Sequence, residues 1–271
     1  MSRSYLFIPG NTPSMIQNLD VFESDSIIID FEDSVISYDK DAARILINNF
    51  LKKFKFNEFD IYIRINDSLS PNFLKDVETT VDLDIKGYVL PKASVEAVNK
   101  LNDLIKNKNI IPIIESPLSL LKAEEIAACN NVTGLLFGAE DYTKELGISR
   151  TLNGTEILYA RSIISIVCNA YGIESIDTPY TSKDDETGLR EDSIHAKNLG
   201  FTAKSLIHPN QVEIVNEVFS PTSREIFEAK RIIKKSEESD KGAFSLDGKM
   251  IDLPIIEKAK KVLNKAKKYN L

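Results

Sequence analysis

Only two cysteines and two histidines occur in 271 residues. Cys129 and Cys168 fall in stretches patterned as helices, with no CxxC spacing and no histidine beside them. That argues against a disulfide-stapled secreted fold and against a cysteine–histidine zinc site, and both thiols read as small buried apolar residues in a reducing compartment. Long hydrophobic runs are missing too. No stretch approaches the ~20 apolar residues of a membrane-spanning helix, and the apolar part of the opening "MSRSYLFIPG" is too short for a signal peptide. The expectation is a cytoplasmic protein with no membrane partner. There is no cationic excess, since 34 Lys+Arg stand against 41 Asp+Glu for a net charge of -7. This points away from nucleic acid as the main partner. Nor is there a glycine-rich phosphate loop: "PGNTPS" after the first apolar run is not the fingerprint of a dinucleotide-binding doubly wound sheet.

What is present is an alternation. Short apolar runs at 4–10, 26–33, 60–66, 87–92, 110–116, 132–142, 175–181 and 203–209 are followed by amphipathic stretches at 13–23, 39–53, 72–81, 94–107, 118–129, 155–171, 184–199 and 210–218. The runs read as continuous Ile/Val/Leu strands, the pattern of a parallel sheet covered on both faces. Eight strand–helix units predict an α/β fold, a (β/α)8 TIM barrel over residues 1–220. Residues 221–271 lie outside the repeat: a helix over 222–236, the charged run "KKSEESDKG" as an exposed turn or linker, and a helix over 254–268 with Pro254 at its first position. This extension packs on the barrel, forms a lid, or reaches a neighbouring subunit.

In such a barrel the chemistry gathers at the C-terminal strand ends. Those ends carry Asp30, Glu32 and Asp33; Arg64 and Asn66; Lys92; Glu115 and Ser116; Gly138, Glu140 and Asp141; and His208. Each has a plain reading beside the functional one. Glu115 and Asp141 could serve helix caps or turns, and Arg64 and Lys92 could be structural ion-pair partners. His208 could be a donor at the barrel top, and His195 a surface residue in mid-helix. Together, however, several acids and an arginine at one rim are costly to desolvate without a cation and hydrogen bonds. Carboxylates with so few histidines suit a hard ion such as Mg2+.

The motifs "RSYLFIPGN", "IIIDFEDSV", "IRIN", "VLPK", "IIPIIESP", "FGAEDY", "DTPYT", "KSLIHPNQ" and "DGKMIDLP" run in order along nearly the whole chain. In this the sequence resembles the HpcH/HpaI aldolase and citrate lyase β-like superfamily, and "GTEILYARS" with "KSLIHPNQ" leans toward its citrate lyase β branch. One departure is that "NDLIKNKNI" is shorter than in typical chains of that branch, where it bears on docking of an acyl carrier. The resemblance implies a Mg2+-dependent carbon–carbon lyase cleaving a 3-hydroxyacyl thioester by retro-Claisen chemistry, a citryl thioester being split to oxaloacetate and an acetyl thioester. Malyl-CoA or citramalyl-CoA lyase, a malate synthase or thioesterase type of enzyme, and a non-catalytic CoA-binding subunit are the alternatives. It implies Glu115 and Asp141 as Mg2+ ligands, and Arg64 as the group that meets substrate carboxylate or enolate charge. The backbone of Gly138 and Ala139 would meet the keto-acid carboxylate, and Asp252 would exchange a proton with the acetyl carbon. Asp30, Glu32 and Asp33 would accept hydrogen bonds from metal-bound water and from Arg64. Arg3 and Lys92 are the candidates for the phosphates of CoA or phosphopantetheine. The implied partners are the acyl thioester on CoA or an acyl carrier protein, further copies of the chain in a trimer or hexamer, and other citrate lyase subunits.

Overall fold

In a computed structural model, which describes residues 2–238 and 243–271, eight parallel strands close into a barrel in strict chain order. They are β1 (Ser4–Pro9), β2 (Ser26–Asp30), β3 (Asp60–Arg64), β4 (Gly87–Leu90), β5 (Asn109–Ile114), β6 (Gly134–Phe137), β7 (Glu174–Asp177) and β8 (Ala203–Leu206). β1 pairs with β2 and with β8, which completes the ring. The (β/α)8 expectation is met. Alternate residues point inward, so Tyr5, Ile28, Tyr62, Val89, Ile111, Ile113, Leu136, Ile176 and Ala203 fill the lumen as one core cluster. Gly87 is needed for ring closure, because a Cβ there would lie 2.1 Å from the Asn109 carbonyl oxygen.

Several predicted segments divide differently. The stretch 13–23 is a short helix, Pro13–Ile16, and a separate 3-10 turn, Leu19–Val21. The stretch 118–129 breaks at Lys122 into Pro117–Leu121 and Ala123–Ala127, which leaves Cys129 half-buried beyond the helix while Cys168 is buried within Leu158–Tyr171. The strand expected over 132–142 ends at Phe137, and Ala139–Leu146 is a helix. Glu140 and Asp141 in its first turn complement the helix dipole, so the switch from strand to helix is locally favoured.

The chain divides into two compact units, Met1–Asn216 and Glu217–Leu271. Within the second, the helix Ser223–Glu237 opens on a Thr222/Glu225 capping box. A hairpin pairs Phe244–Leu246 with Lys249–Ile251 through Asp247 and Gly248, both at positive φ, as a two-residue hairpin turn requires. The last helix is Leu253–Lys268, with Asp252 as its N-cap and Pro254 therefore at the second position, not the first. The end of the "KKSEESDKG" run, residues 239–242, lies outside the described residues.

Candidate active site at the barrel mouth

The register that closes the barrel sets Asp30, the last residue of β2, beside Arg64, the last of β3. Arg64 Nε and Nη2 donate to the two Asp30 carboxylate oxygens, each at 2.7 Å. The same oxygens accept from the N–H groups of Glu32 at 2.8 Å and Ser34 at 3.0 Å. Asp30 is 2% exposed with its acceptor positions occupied. Burial pushes its carboxyl up, but Arg64, Ser34 and Glu32 outweigh that and hold it below the usual carboxylate range. The third nitrogen of Arg64, Nη1, stands 3.1 Å from Glu32 and 3.4 Å from Asp33, and the guanidinium lies 5.0 Å from the Phe7 ring centroid. Glu32 is less well compensated. Burial lifts it to about 8, with Asp33, Glu115 and Asp30 adding repulsion that Arg64 only partly offsets. Buried Lys40 helps to hold this turn by donating to the carbonyls of Phe31 and Glu32.

Glu115 follows β5 directly and is 8% exposed. The cap of the next helix is Ser116, in a reciprocal bond with Ser119, so Glu115 is not used for capping. One of its oxygens accepts from Lys92 N–H at 2.5 Å; Lys92 adopts φ +46°, a left-handed conformation that strains a non-glycine residue. Burial raises Glu115 to about 7; the Lys92 N–H opposes this, and nearby Asp141 and Asp33 add to it. Gly138 makes room for this side chain: a Cβ there would sit 2.6 Å from Glu115 Cβ and 3.1 Å from Oε2. Asp141 is half exposed in the first turn of Ala139–Leu146, 3.6 Å from Lys144.

Two cavities meet at these carboxylates. One, of about 450 Å³, opens at the barrel mouth between Phe7, Arg64, Glu115, Asp141 and Thr178. The other, of about 760 Å³, is a groove along the β4–β6 loops past Lys92, Leu118 and Lys144, and Glu115 and Asp141 line it as well. Among the described residues there is no cluster of three or more His, Cys, Asp or Glu side chains able to hold a metal. Glu115 and Asp141, which line both cavities, are a carboxylate pair that could hold a hard cation with water and substrate oxygens in its remaining positions. A cation there would also offset the burial, and the smaller repulsion from Asp141 and Asp33, that lift Glu115.

Of the residues singled out in the sequence, Arg64, Asp30, Asp33, Glu115, Gly138, Ala139 and Asp141 line the mouth cavity together, and Glu32 pairs with Arg64 at its edge. Lys92 lines the neighbouring groove and bonds Asp67 at 3.3 Å. Arg3 is not brought there. It precedes β1, at the other end of the barrel, and is bound to Asp25 at 2.7–2.9 Å. The amides of Gly138 and Ala139 already donate, to Ile114 O at 2.9 Å and to Thr178 Oγ1 at 3.2 Å. Asn66 turns into the fold and bonds Asp76 and Phe31 O. His208 caps the 3-10 turn Pro209–Gln211, and His195 is an exposed helix residue. Asp252 belongs to the second unit, where its carboxylate accepts from Ile255 N–H at 3.4 Å. Thr178 was missed. Its signal is its place directly after β7, the end of which carries no charge beyond the buried Asp177.

A family model described as HpcH/HpaI aldolase/citrate lyase matches residues 3–209. The citrate lyase subunit beta of Haemophilus influenzae is 36% identical over 98% of this chain and 97% of its own. The mitochondrial citramalyl-CoA lyase of Rattus norvegicus is 32% identical over 97% of this chain and 86% of its own. Among solved structures, the protein CitE of Mycobacterium tuberculosis in complex with magnesium, acetoacetate and coenzyme A superposes with a TM-score of 0.83 at 27% identity, covering 98% of both chains.

Proposed function

The chain belongs to the HpcH/HpaI aldolase/citrate lyase family, and we propose that it is a Mg2+-dependent carbon–carbon lyase that cleaves a citryl thioester to oxaloacetate and an acetyl thioester. The observation that carries this reading is the meeting of two cavities at Glu115 and Asp141 beside a fixed Arg64. The mouth cavity suits the keto-acid half, and the groove suits the thioester arm of CoA or an acyl carrier protein. A solved relative is in complex with magnesium, acetoacetate and coenzyme A, the classes of ligand that this reading requires.

Glu115 and Asp141 would hold the Mg2+. The bound ion supplies a Lewis acid that lowers the pKa of the substrate hydroxyl and stabilises the forming ketone. When that hydroxyl passes its proton to water in the mouth, the carbon–carbon bond breaks and its electron pair passes into the thioester enolate. Arg64, with two nitrogens fixed on Asp30, has only Nη1 to turn toward the developing negative charge. Asp252 gives the enolate carbon its proton, and in reverse takes it from the acetyl group. Asp33 and Glu32 orient Nη1 and accept from water in the mouth. The extension carrying Asp252 serves as a lid over its own or an adjacent subunit's site, in a trimer or hexamer. Lys92, beside the groove, is the remaining candidate for a phosphate of the carrier arm.

A citramalyl-CoA lyase is the second reading, favoured by the 32% identical rat enzyme. The bond broken is the same; the keto acid released is pyruvate, with a methyl where oxaloacetate carries a carboxymethyl group. The test is a coupled assay for oxaloacetate, glyoxylate and pyruvate, with citryl-, malyl- and citramalyl-CoA offered in turn. Oxaloacetate release that depends on Mg2+ and stops with EDTA is expected. Metal-dependent pyruvate release alone would transfer the assignment to the second reading, and silence on all three esters and on a carrier-protein thioester would leave only a non-catalytic binding role. In the same assay Asp252→Asn is expected to lose most turnover while its melting temperature stays within a few degrees. Asparagine caps a helix about as well as aspartate, so the variant removes the acid and keeps the Ile255 bond. Turnover equal to wild type would rule out Asp252 as the proton donor.

A further inference from the structure

We propose that Thr178 binds substrate in this site, its hydroxyl accepting from Ala139 N–H and donating its own proton to the carboxylate of the 2-oxo acid. The inference rests on the lyase reading above and adds a residue that the sequence did not single out. Thr178 is 0% exposed, yet it lines the 450 Å³ mouth cavity with Arg64, Glu115 and Asp141. Its Oγ1 accepts from Ala139 N–H at 3.2 Å. A threonine hydroxyl has one proton to give as well, and among the described residues it makes no hydrogen bond as a donor. With the accepting side turned to Ala139, that proton is left for the cavity, and a hydroxyl polarised by accepting is a better donor.

The residue is also held rigidly. Lys204 Nζ, itself fully buried, donates to Thr178 O at 2.7 Å and to Asp177 and Asp192 on either side. Threonine is stiff at χ1, so the fixed backbone fixes the hydroxyl. The chemistry around it selects an anion. The amides of Glu140 and Asp141, in the first turn of the same helix as Ala139, have no carbonyl four residues back to bond, and the helix start carries partial positive charge. Elsewhere the cavity wall presents Asp33 and the side chain of Glu140, which repel a carboxylate, and Arg64, whose Nη1 already faces Glu32 and Asp33 and is kept for the charge that develops on cleavage. The 2-oxo-acid carboxylate therefore belongs at the Thr178 corner, and the keto oxygen toward Glu115 and Asp141.

The test is calorimetric titration of the full-length protein with pyruvate in the presence of Mg2+, with Mg2+ alone titrated separately. Wild type and Thr178→Ser are expected to bind pyruvate alike. Thr178→Val, which keeps the shape and deletes the hydroxyl, should raise the dissociation constant about 10- to 100-fold with Mg2+ affinity unchanged. If Thr178→Val melts too low for titration, Thr178→Ala is measured in its place, with the same expectation. Wild-type pyruvate affinity in the hydroxyl-free variant would overturn the proposal and leave Thr178 as a cap on the helix start. Equal weakening in Thr178→Ser would overturn it as well, pointing to packing. A wild-type protein that binds neither pyruvate nor, titrated in its place, oxaloacetate with Mg2+ would bring down the lyase reading itself, and that failure shows in the control before any variant is compared.

Discussion

Arg64→Lys is expected to reduce kcat/KM by about 10²–10³, the range seen when one donor to a developing oxyanion is removed. The reason lies in how the guanidinium is divided. Nε and Nη2 form the edge that grips Asp30, and only Nη1 is left to face Glu32, Asp33 and the cavity. A lysine has one nitrogen for both tasks. It will follow Asp30, which is almost fully buried and cannot be left without a partner. The charge is then retained and the donor to the substrate lost. The loss should therefore appear mainly in kcat, with KM changing less and the melting temperature falling by only a few degrees. Arg64→Met behaves differently: it strands Asp30 and is expected to destabilise the protein by about 3–5 kcal/mol. A lysine variant with wild-type kcat and a lowered melting temperature would mean that Arg64 is a structural ion-pair partner and nothing more.

The acid cluster that closes β2 was legible as a cluster, because three carboxylates at the end of an apolar strand have no packing explanation. Its division of labour was not. Which acid takes Arg64 follows from a register that sets residue 30 against residue 64, and register is a property of the closed sheet. The eight strands were legible from their continuous apolar runs, and the C-terminal ends of strands are where a parallel barrel exposes side chains. Where runs and helices abut without a turn, the boundary was lost. In "GLLFGAEDY" one glycine separates strand from helix, and apolar periodicity cannot mark a change made in one residue. That boundary matters, because it puts Asp141 on a helix start and sets its amide beside the cavity.

Uncharged and interior groups were hidden for another reason. Thr178 carries no charge, so a search for charged strand ends passes over it. Lys204 is charged but lies inside a strand that otherwise reads as core, and its role depends on Arg161, Asp177 and Asp192 converging from two helices and another strand. Nothing local to "AKSLIHP" shows that a lysine there will be fully buried. Long-range pairing decided both cases.

That interior network carries the other large expected effect. Lys204 and Arg161 balance Asp177 and Asp192 in a neutral quartet: Lys204 Nζ lies 2.5 Å from Asp177 and 2.6 Å from Asp192, and Arg161 lies 2.9 and 2.7 Å from the same two. Lys204→Met leaves one uncompensated buried negative charge and is expected to destabilise the protein by about 3–5 kcal/mol. At ~2–4 °C per kcal/mol for a chain of this size, the melting temperature should fall by about 10 °C. The pH dependence identifies the cause. Although burial opposes ionisation, Lys204 and Arg161 depress the Asp192 carboxyl to about 2 from an ordinary 3.8. A depressed carboxyl contributes stability that is present above its unfolded value and is lost as pH falls through its folded one, here between about pH 4 and 2. Without Lys204 that depression shrinks, so the gap between wild type and variant should be widest near neutral pH and narrow below pH ~4. Adding Asp192→Asn to Lys204→Met restores neutrality and should recover part of the loss at neutral pH. A gap constant from pH 3 to 7, with no recovery in the double variant, would mean that the methionine fails through packing and that the charge balance contributes little.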